Sequence, residues 1–273
     1  MCGRNISSET SSTIGQQRRF NYALQPMGRE EFIQMMTTDL PEAPAYFFQD
    51  AVINREGPPT LDELPAPTEL SPEEVQRIQK EGCLILDTRP SDQFGTSHIP
   101  GSLNIGLNGQ FATWAGTLIR LMEPLILVAE NEERVKEARV RLARVGHEKV
   151  VGYLSGGILS WHSAGLPLNT TEQISVDELD RRIKEGSAEQ VIDVRRPPEW
   201  NAGHIRQAVH LPLNKLRETA SQLDKSKGIA AICAGGYRSS AATSILEQLG
   251  FPRVTNVVGG MTAWNNAKLD VTS

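Results

Sequence analysis

The chain has 273 residues, with 28 Lys and Arg against 33 Asp and Glu and a formal net charge of −5. That balance gives no broad attraction for a phosphate backbone or an anionic membrane surface, so neither nucleic acid nor membrane is an expected partner. No apolar run approaches the roughly 20 residues that span a bilayer, and the N-terminus lacks the basic-then-apolar order of a signal peptide, so the cytoplasm is the expected compartment. The composition, 39% hydrophobic and 22% charged, is that of a globular protein, and the length is near the point where one core divides into two.

The first 65 residues are unlike the rest. Residues 4–19 are rich in Ser, Thr and Gln, residues 29–36 predict a short helix, and Pro41, Pro44, Pro58, Pro59, Pro65 and Pro67 crowd the stretch from 41 to 67. Prolines at that density exclude a long helix or a central strand. Residues 1–65 therefore read as an arm or linker without a catalytic pattern.

From Leu70 onward the sequence repeats itself. Ser71-Pro72-Glu73-Glu74 predicts a capped helix start, and Ser175-Val176-Asp177-Glu178 predicts the same capping box one repeat later. Cys83-Leu84-Ile85-Leu86-Asp87-Thr88-Arg89 is matched by Gln190-Val191-Ile192-Asp193-Val194-Arg195, each a short buried strand ending in an Asp-x-Arg turn. The segment from Phe94 to His98 pairs with that from Trp200 to His204, and residues 102–106 pair with 208–212. Residues 125–128 and 229–232 predict the next strand, each followed by a helix ending near Gly146 or Gly250. Residues 149–154 and 253–258 predict a last strand running into Gly156-Gly157 or Gly259-Gly260, with Trp161 and Trp264 in short helices beyond. Equivalent residues lie about 103 to 106 positions apart, so one fold is used twice. Strands without strict alternation, separated by amphipathic helices, predict an α/β class: two domains, 66–169 and 170–273, each a mainly parallel sheet flanked by helices on both faces.

Cys2, Cys83 and Cys233 are widely spaced and form no CxxC pair, which suggests neither a disulfide scaffold nor a structural zinc site. Cys83 lies in a hydrophobic run and reads as core, and Cys2 has no expected role. Cys233 ends a strand just before a helix that is expected to begin near Ser239, at the carboxyl edge of the sheet where open α/β folds bind ligands. Between them, Ala234-Gly235-Gly236-Tyr237-Arg238 predicts a tight loop whose backbone N–H groups face one centre and hold an anion beside the helix N-terminus. A thiolate at Cys233 and an anionic sulfur substrate would both use that cradle. Arg238 can add a charged fork, and Ser239 a cap or a further donor.

At this segment a resemblance emerges. Asp193-Val194-Arg195, Gly203-His204-Ile205, Cys233-Ala234-Gly235-Gly236-Tyr237-Arg238-Ser239 and Val257-Val258-Gly259-Gly260-Met261-Thr262-Ala263-Trp264 resemble the rhodanese family over residues 174–268. The resemblance implies that Cys233 is the sulfur-carrying nucleophile and that the backbone from Ala234 to Ser239, with Arg238, forms its cradle. The loop from Cys233 to Arg238 has six residues, as in sulfur-transferring members, whereas related phosphatases typically have seven. Residues 70–167 resemble the same family through Leu86-Asp87-Thr88-Arg89, His98-Ile99-Pro100-Gly101-Ser102 and Leu154-Ser155-Gly156-Gly157. There the loop reads Ala129-Glu130-Asn131-Glu132-Glu133-Arg134, without a nucleophile and with three carboxylates that would repel an anionic donor. The first domain is expected to be catalytically silent, with Arg134 paired to Glu130, Glu132 or Glu133.

Residues 2–7, 11–15, 21–24 and 103–114 look like segments of proteins in which a metallo-β-lactamase-type persulfide dioxygenase precedes tandem rhodanese domains. The likeness implies such a domain or a separate protein as a possible partner. The chain has no His-x-His-x-Asp cluster and only the scattered His98, His147, His162, His204 and His210, so no metal or cofactor is assigned to it. The expected function is a sulfurtransferase that moves sulfane sulfur from thiosulfate or a persulfide, through a Cys233 persulfide, to a thiol, sulfite or cyanide. The alternative is a non-enzymatic sulfur carrier or docking module for a dioxygenase-like partner.

Overall fold

A computed structural model describes residues 9–38, 46–57, 60, 65–186 and 189–272. The chain forms two units, Met1–Ala43 and Pro44–Ser273. In the first, the expected helix is present as Arg29–Thr37, and a further helix, Ile14–Phe20, stands in the polar stretch expected to be linker. A local capping box starts it: Gln16 N–H donates to Thr13 Oγ1 at 3.2 Å and Thr13 N–H to Gln16 Oε1 at 3.0 Å. Neither helix has a buried residue, and Ile14 and Phe20 are 82% and 81% exposed. Cys2 lies outside the described residues.

The second unit opens with helix Tyr46–Glu56, eleven residues that fit between Pro44 and Pro58. Two parallel five-stranded sheets come next, flanked by helices. The strands are β1 (Thr68–Leu70), β2 (Leu84–Asp87), β3 (Leu103–Asn104), β4 (Leu125–Val128), β5 (Val150–Leu154), β6 (Glu172–Ile174), β7 (Gln190–Asp193), β8 (Val209–His210), β9 (Ile229–Ile232) and β10 (Val254–Val257). The first sheet has the order β1-β5-β4-β2-β3 and the second β6-β10-β9-β7-β8, the same winding twice.

The repeated motifs explain why both halves fold alike. Asp87 and Asp193 end β2 and β7 fully buried, and each carboxylate takes the backbone N–H and the guanidinium of the arginine two residues on. Each arginine also donates to a carbonyl eight residues away, Ser97 or Gly203, which folds the loop after the strand back on itself. Trp161 and Trp264 anchor the far ends by donating to the Pro167 and Asp270 carbonyls. One expectation is met only in part. The Ser71 capping box is complete, whereas Ser175 caps its helix without a returning Glu178, whose carboxylate is taken by Arg181 and Arg182.

The core has three clusters. One lies under each sheet's outer face, and the third joins the halves, with Leu86, Leu103 and Leu127 of the first sheet in the same cluster as Ile192, Ala231 and Ile245 of the second half. Helix Tyr237–Gln248 runs through this shared layer, buried at every position from Ser239 to Leu246. A helix buried on all sides must pair its polar groups internally. Ser240 donates to Asn104 Oδ1 at 2.6 Å, Asn104 N–H donates to Ser244 Oγ at 3.1 Å, and the Asn104 amide donates to the Asp87 and Arg89 carbonyls. Asn104 thus ties β3 to the helix of the other half with each side-chain polar group satisfied. Replacing it with Ala strands the buried Ser240 hydroxyl and the Arg89 carbonyl, while the Asp87 carbonyl keeps the Ile105 N–H. Asn104→Ala should therefore lower unfolding stability by about 3 kcal/mol, measured as a lower denaturant midpoint at unchanged slope.

Candidate active site

β9 is buried at all four residues and delivers Cys233 to the end of the sheet, where the side chain is only 1% exposed. Ala234 is half-buried, Gly235 is exposed, and Gly236 takes φ +94° to start helix Tyr237–Gln248, two residues before the expected start. Glycine at 236 permits that left-handed turn and brings its N–H back onto the sulfur. Gly236 N–H donates to Cys233 Sγ at 3.1 Å and Ser239 Oγ–H at 3.4 Å, so two donors converge on one sulfur.

A second glycine pair fixes the loop from beneath. Gly259 and Gly260, both at positive φ, open helix Gly260–Asn266, whose Met261 and Thr262 N–H groups donate to the Cys233 and Ala234 carbonyls at 2.7 and 2.9 Å. The approach is tight: a Cβ on Gly260 would lie 2.3 Å from the Cys233 carbonyl oxygen. The Gly-Gly turn is legible in sequence, but its role as a support for the cysteine is not, because it depends on β9 and β10 lying side by side.

Arg238 does not hydrogen-bond the sulfur. Its two terminal nitrogens donate to the two oxygens of Glu199, both at 2.7 Å, and its side chain is 13% exposed. The bond to Arg238 holds the Glu199 carboxyl below the usual carboxylate range against the opposing effect of burial. Burial alone would lower the Arg238 guanidinium, but the Glu199 bond and the charge at Cys233 outweigh it and raise it. Sequence reasoning misses Glu199 because it lies 39 residues from its partner.

Tyr237 turns toward the first domain. Its hydroxyl donates to the Gly106 carbonyl at 2.7 Å, and its ring occupies the space a Cβ on Gly109 would need, 2.5 Å from the nearest ring carbon. Arg141 fixes that receiving loop by donating to the Leu107 and Gly109 carbonyls. The Arg196 guanidinium stands 5.8 Å over the Trp114 ring, a second link between the site and the first domain.

At the equivalent position Ala129 follows the end of β4, and Asn131 caps helix Glu132–Ala143. Arg134 pairs with Glu137 at 2.6 Å and more loosely with Glu130 at 3.8 Å, so its nearest acid lies one turn along the helix, beyond those expected. Gly157 keeps the backbone role of Gly260, with 3.2 Å from its Cβ position to the Ala129 carbonyl oxygen. Cys83 donates its thiol to the Pro124 carbonyl at 3.1 Å, and burial, reinforced by Glu123, pushes that thiol up to about 11. His98 and His204 stack on Phe94 and Trp200 and bond the carbonyls of those residues through Nδ1. Among the described residues no group of three or more His, Cys, Asp and Glu could hold a metal. A groove of about 830 Å³ lined by Glu172, Gly228, Arg253 and Val254 lies at the amino ends of β9 and β10, the opposite edge from Cys233.

A sequence model of the rhodanese-like domain matches residues 71–164 and again 175–267. A Bacillus subtilis (strain 168) protein named "Putative sulfurtransferase YtwF" is 39% identical over 93 residues, 34% of this chain and 89% of that protein. "Putative sulfur carrier protein YrkF" of the same organism is 33% identical over 92 residues, 34% of this chain and only half of that protein's length. The crystal structure of a rhodanese-related protein from Thermoplasma volcanium is 37% identical, covers 37% of this chain and 97% of its own, and gives a TM-score of 0.34. With the family's domain matched in both halves, each on its own parallel sheet, the chain belongs to the rhodanese family.

Proposed function

We propose that the protein is a sulfurtransferase in which Cys233 carries sulfane sulfur as a persulfide. The observation that carries this reading is the convergence of the Gly236 N–H and the Ser239 hydroxyl on a cysteine sulfur at a strand end. Such donors stabilise a negatively charged sulfur both before and after transfer, with no reorganisation at the moment of reaction.

The Cys233 thiolate attacks the outer sulfur of thiosulfate or of a persulfide. The new Sγ–S bond forms as the donor's own S–S bond breaks, and that electron pair leaves with sulfite or a thiolate. The transferred sulfur stays as the charged end of the Cys233 persulfide. A thiol, sulfite or cyanide then attacks this outer sulfur and the Cys233 thiolate departs, a two-step covalent cycle. The depth of Cys233 suits this order: the added sulfur stands about 2 Å further out, within reach of acceptors too large to touch the buried Sγ. The first domain, with Ala129 in place of the nucleophile, takes no part in the chemistry and serves as a wall of the site.

The name of the Bacillus subtilis carrier relative supports a second reading, in which each chain is loaded once and delivers to one partner protein. The likeness of the N-terminal segments to dioxygenase fusions supports a metallo-β-lactamase-type persulfide dioxygenase as that partner or as a neighbour in an enzyme pair.

Initial rates with varied donor and acceptor should give the parallel-line pattern of a covalent intermediate, and Cys233→Ala should reduce transfer to background. Activity retained without Cys233 contradicts the reading, and a single sulfur delivered per chain with no further turnover moves it to the carrier. Gly260→Ala places a side chain at φ +53° against the Cys233 carbonyl. It should cut transfer about 100-fold, checked against unchanged secondary structure by circular dichroism.

A further inference from the structure

Three arginines stand at the strand ends of the second domain, Arg195 and Arg196 after β7 and Arg238 in the first turn of helix Tyr237–Gln248, and their bonds differ. Arg195 is buried and committed to Asp193 and to the Gly203 carbonyl. Arg196 is exposed and stands over Trp114. Arg238 gives one N–H from each terminal nitrogen of its fork to the two oxygens of Glu199, a charge-matched pair. Glu199 is itself held from a second side, since its Oε2 accepts the Arg196 N–H at 3.1 Å in the first turn of helix Pro197–Asn201. The pair is therefore a seated fork and not a wandering surface contact.

The sulfur is left with one N–H and one hydroxyl donor. Those suffice for a single negative charge on sulfur. A sulfonate-type donor such as thiosulfate brings two charges and three further oxygens that require partners. Arg238 keeps three N–H donors beyond the two that Glu199 takes, but its charge is already balanced by that carboxylate, so it offers a dianion little net attraction. A persulfide with an uncharged body makes no such demand. Discrimination of this kind comes from a repulsive element as much as from an attractive one.

Resting on the sulfur-transfer reading above, we propose that Glu199 is a specificity-determining residue: by holding Arg238 it favours persulfide donors with uncharged bodies over sulfonate-type donors. The residue acts through Arg238 and touches no reacting atom.

The test compares kcat/KM for thiosulfate and for the persulfide of 2-mercaptoethanol, with cyanide as acceptor, in the full chain. Glu199→Gln keeps the shape and removes the charge, freeing the guanidinium. It should raise the thiosulfate-to-persulfide ratio about tenfold, mainly through a lower KM for thiosulfate, and the gain should shrink in 0.5 M salt. Glu199→Asp, too short for both contacts, should move the ratio in the same direction by less. The gain should vanish when Arg238→Gln is added to Glu199→Gln. A ratio unchanged in both Glu199 variants, or a gain that persists without Arg238, overturns the inference while leaving sulfur transfer standing. A wild-type chain that takes sulfur from neither donor overturns both.

Discussion

The burial of helix Tyr237–Gln248 on every side is the constraint on which the rest of the site depends. Its middle is Ser, Ser, Ala, Ala, Thr and Ser because its own sheet and the first domain close on it together, leaving room for little else. Small polar residues in that setting are tolerable only when each hydroxyl is paired, and Asn104, the helix's own carbonyls and, for Ser239, the Cys233 sulfur supply the pairing. A helix held so firmly cannot shift its first turn, and the Cys233 loop is that first turn's continuation. The geometry around the sulfur therefore depends on the packing of two domains rather than on the loop alone.

The duplication makes the division of labour visible. Both halves keep the buried Asp–Arg pair, the glycine that brings the last helix under the strand-end residue, and the tryptophan that anchors that helix. These features specify the fold. What differs is the loop: Ala129 with acidic neighbours in one half, Cys233 with glycines in the other. The first domain instead contributes surfaces, with Gly106 and Gly109 receiving Tyr237 and Trp114 lying under Arg196. Side chains at the two glycines would close the slot that Tyr237 occupies.

Much of this is legible in the sequence wherever the cause is local. The Asp-x-Arg turns, the Gly-Gly turns and the strand-end cysteine are set by neighbours a few residues apart, and the repetition of the turns about 104 positions on supports each with a second copy. Long-range partners are not legible. Arg238 looks like a free fork in sequence because Glu199 is 39 residues away, and Tyr237 looks like a loop residue because its acceptor, Gly106, is 131 residues away. Composition also misleads in one place. The Ser, Thr and Gln around Thr13 suggest a linker, although Thr13 and Gln16 form a capping box that starts a helix.

The central claim is that one sulfur resides on Cys233 and nowhere else in the chain. Cys83, with its thiol donated to Pro124 and held protonated by burial, offers the internal comparison. The most direct measurement is mass spectrometry of the intact chain and of its peptides after exposure to thiosulfate or a persulfide. The account predicts a gain of about 32 Da confined to the peptide containing Cys233 and erased by cyanide. A gain on Cys83, or no gain from either donor, would contradict it.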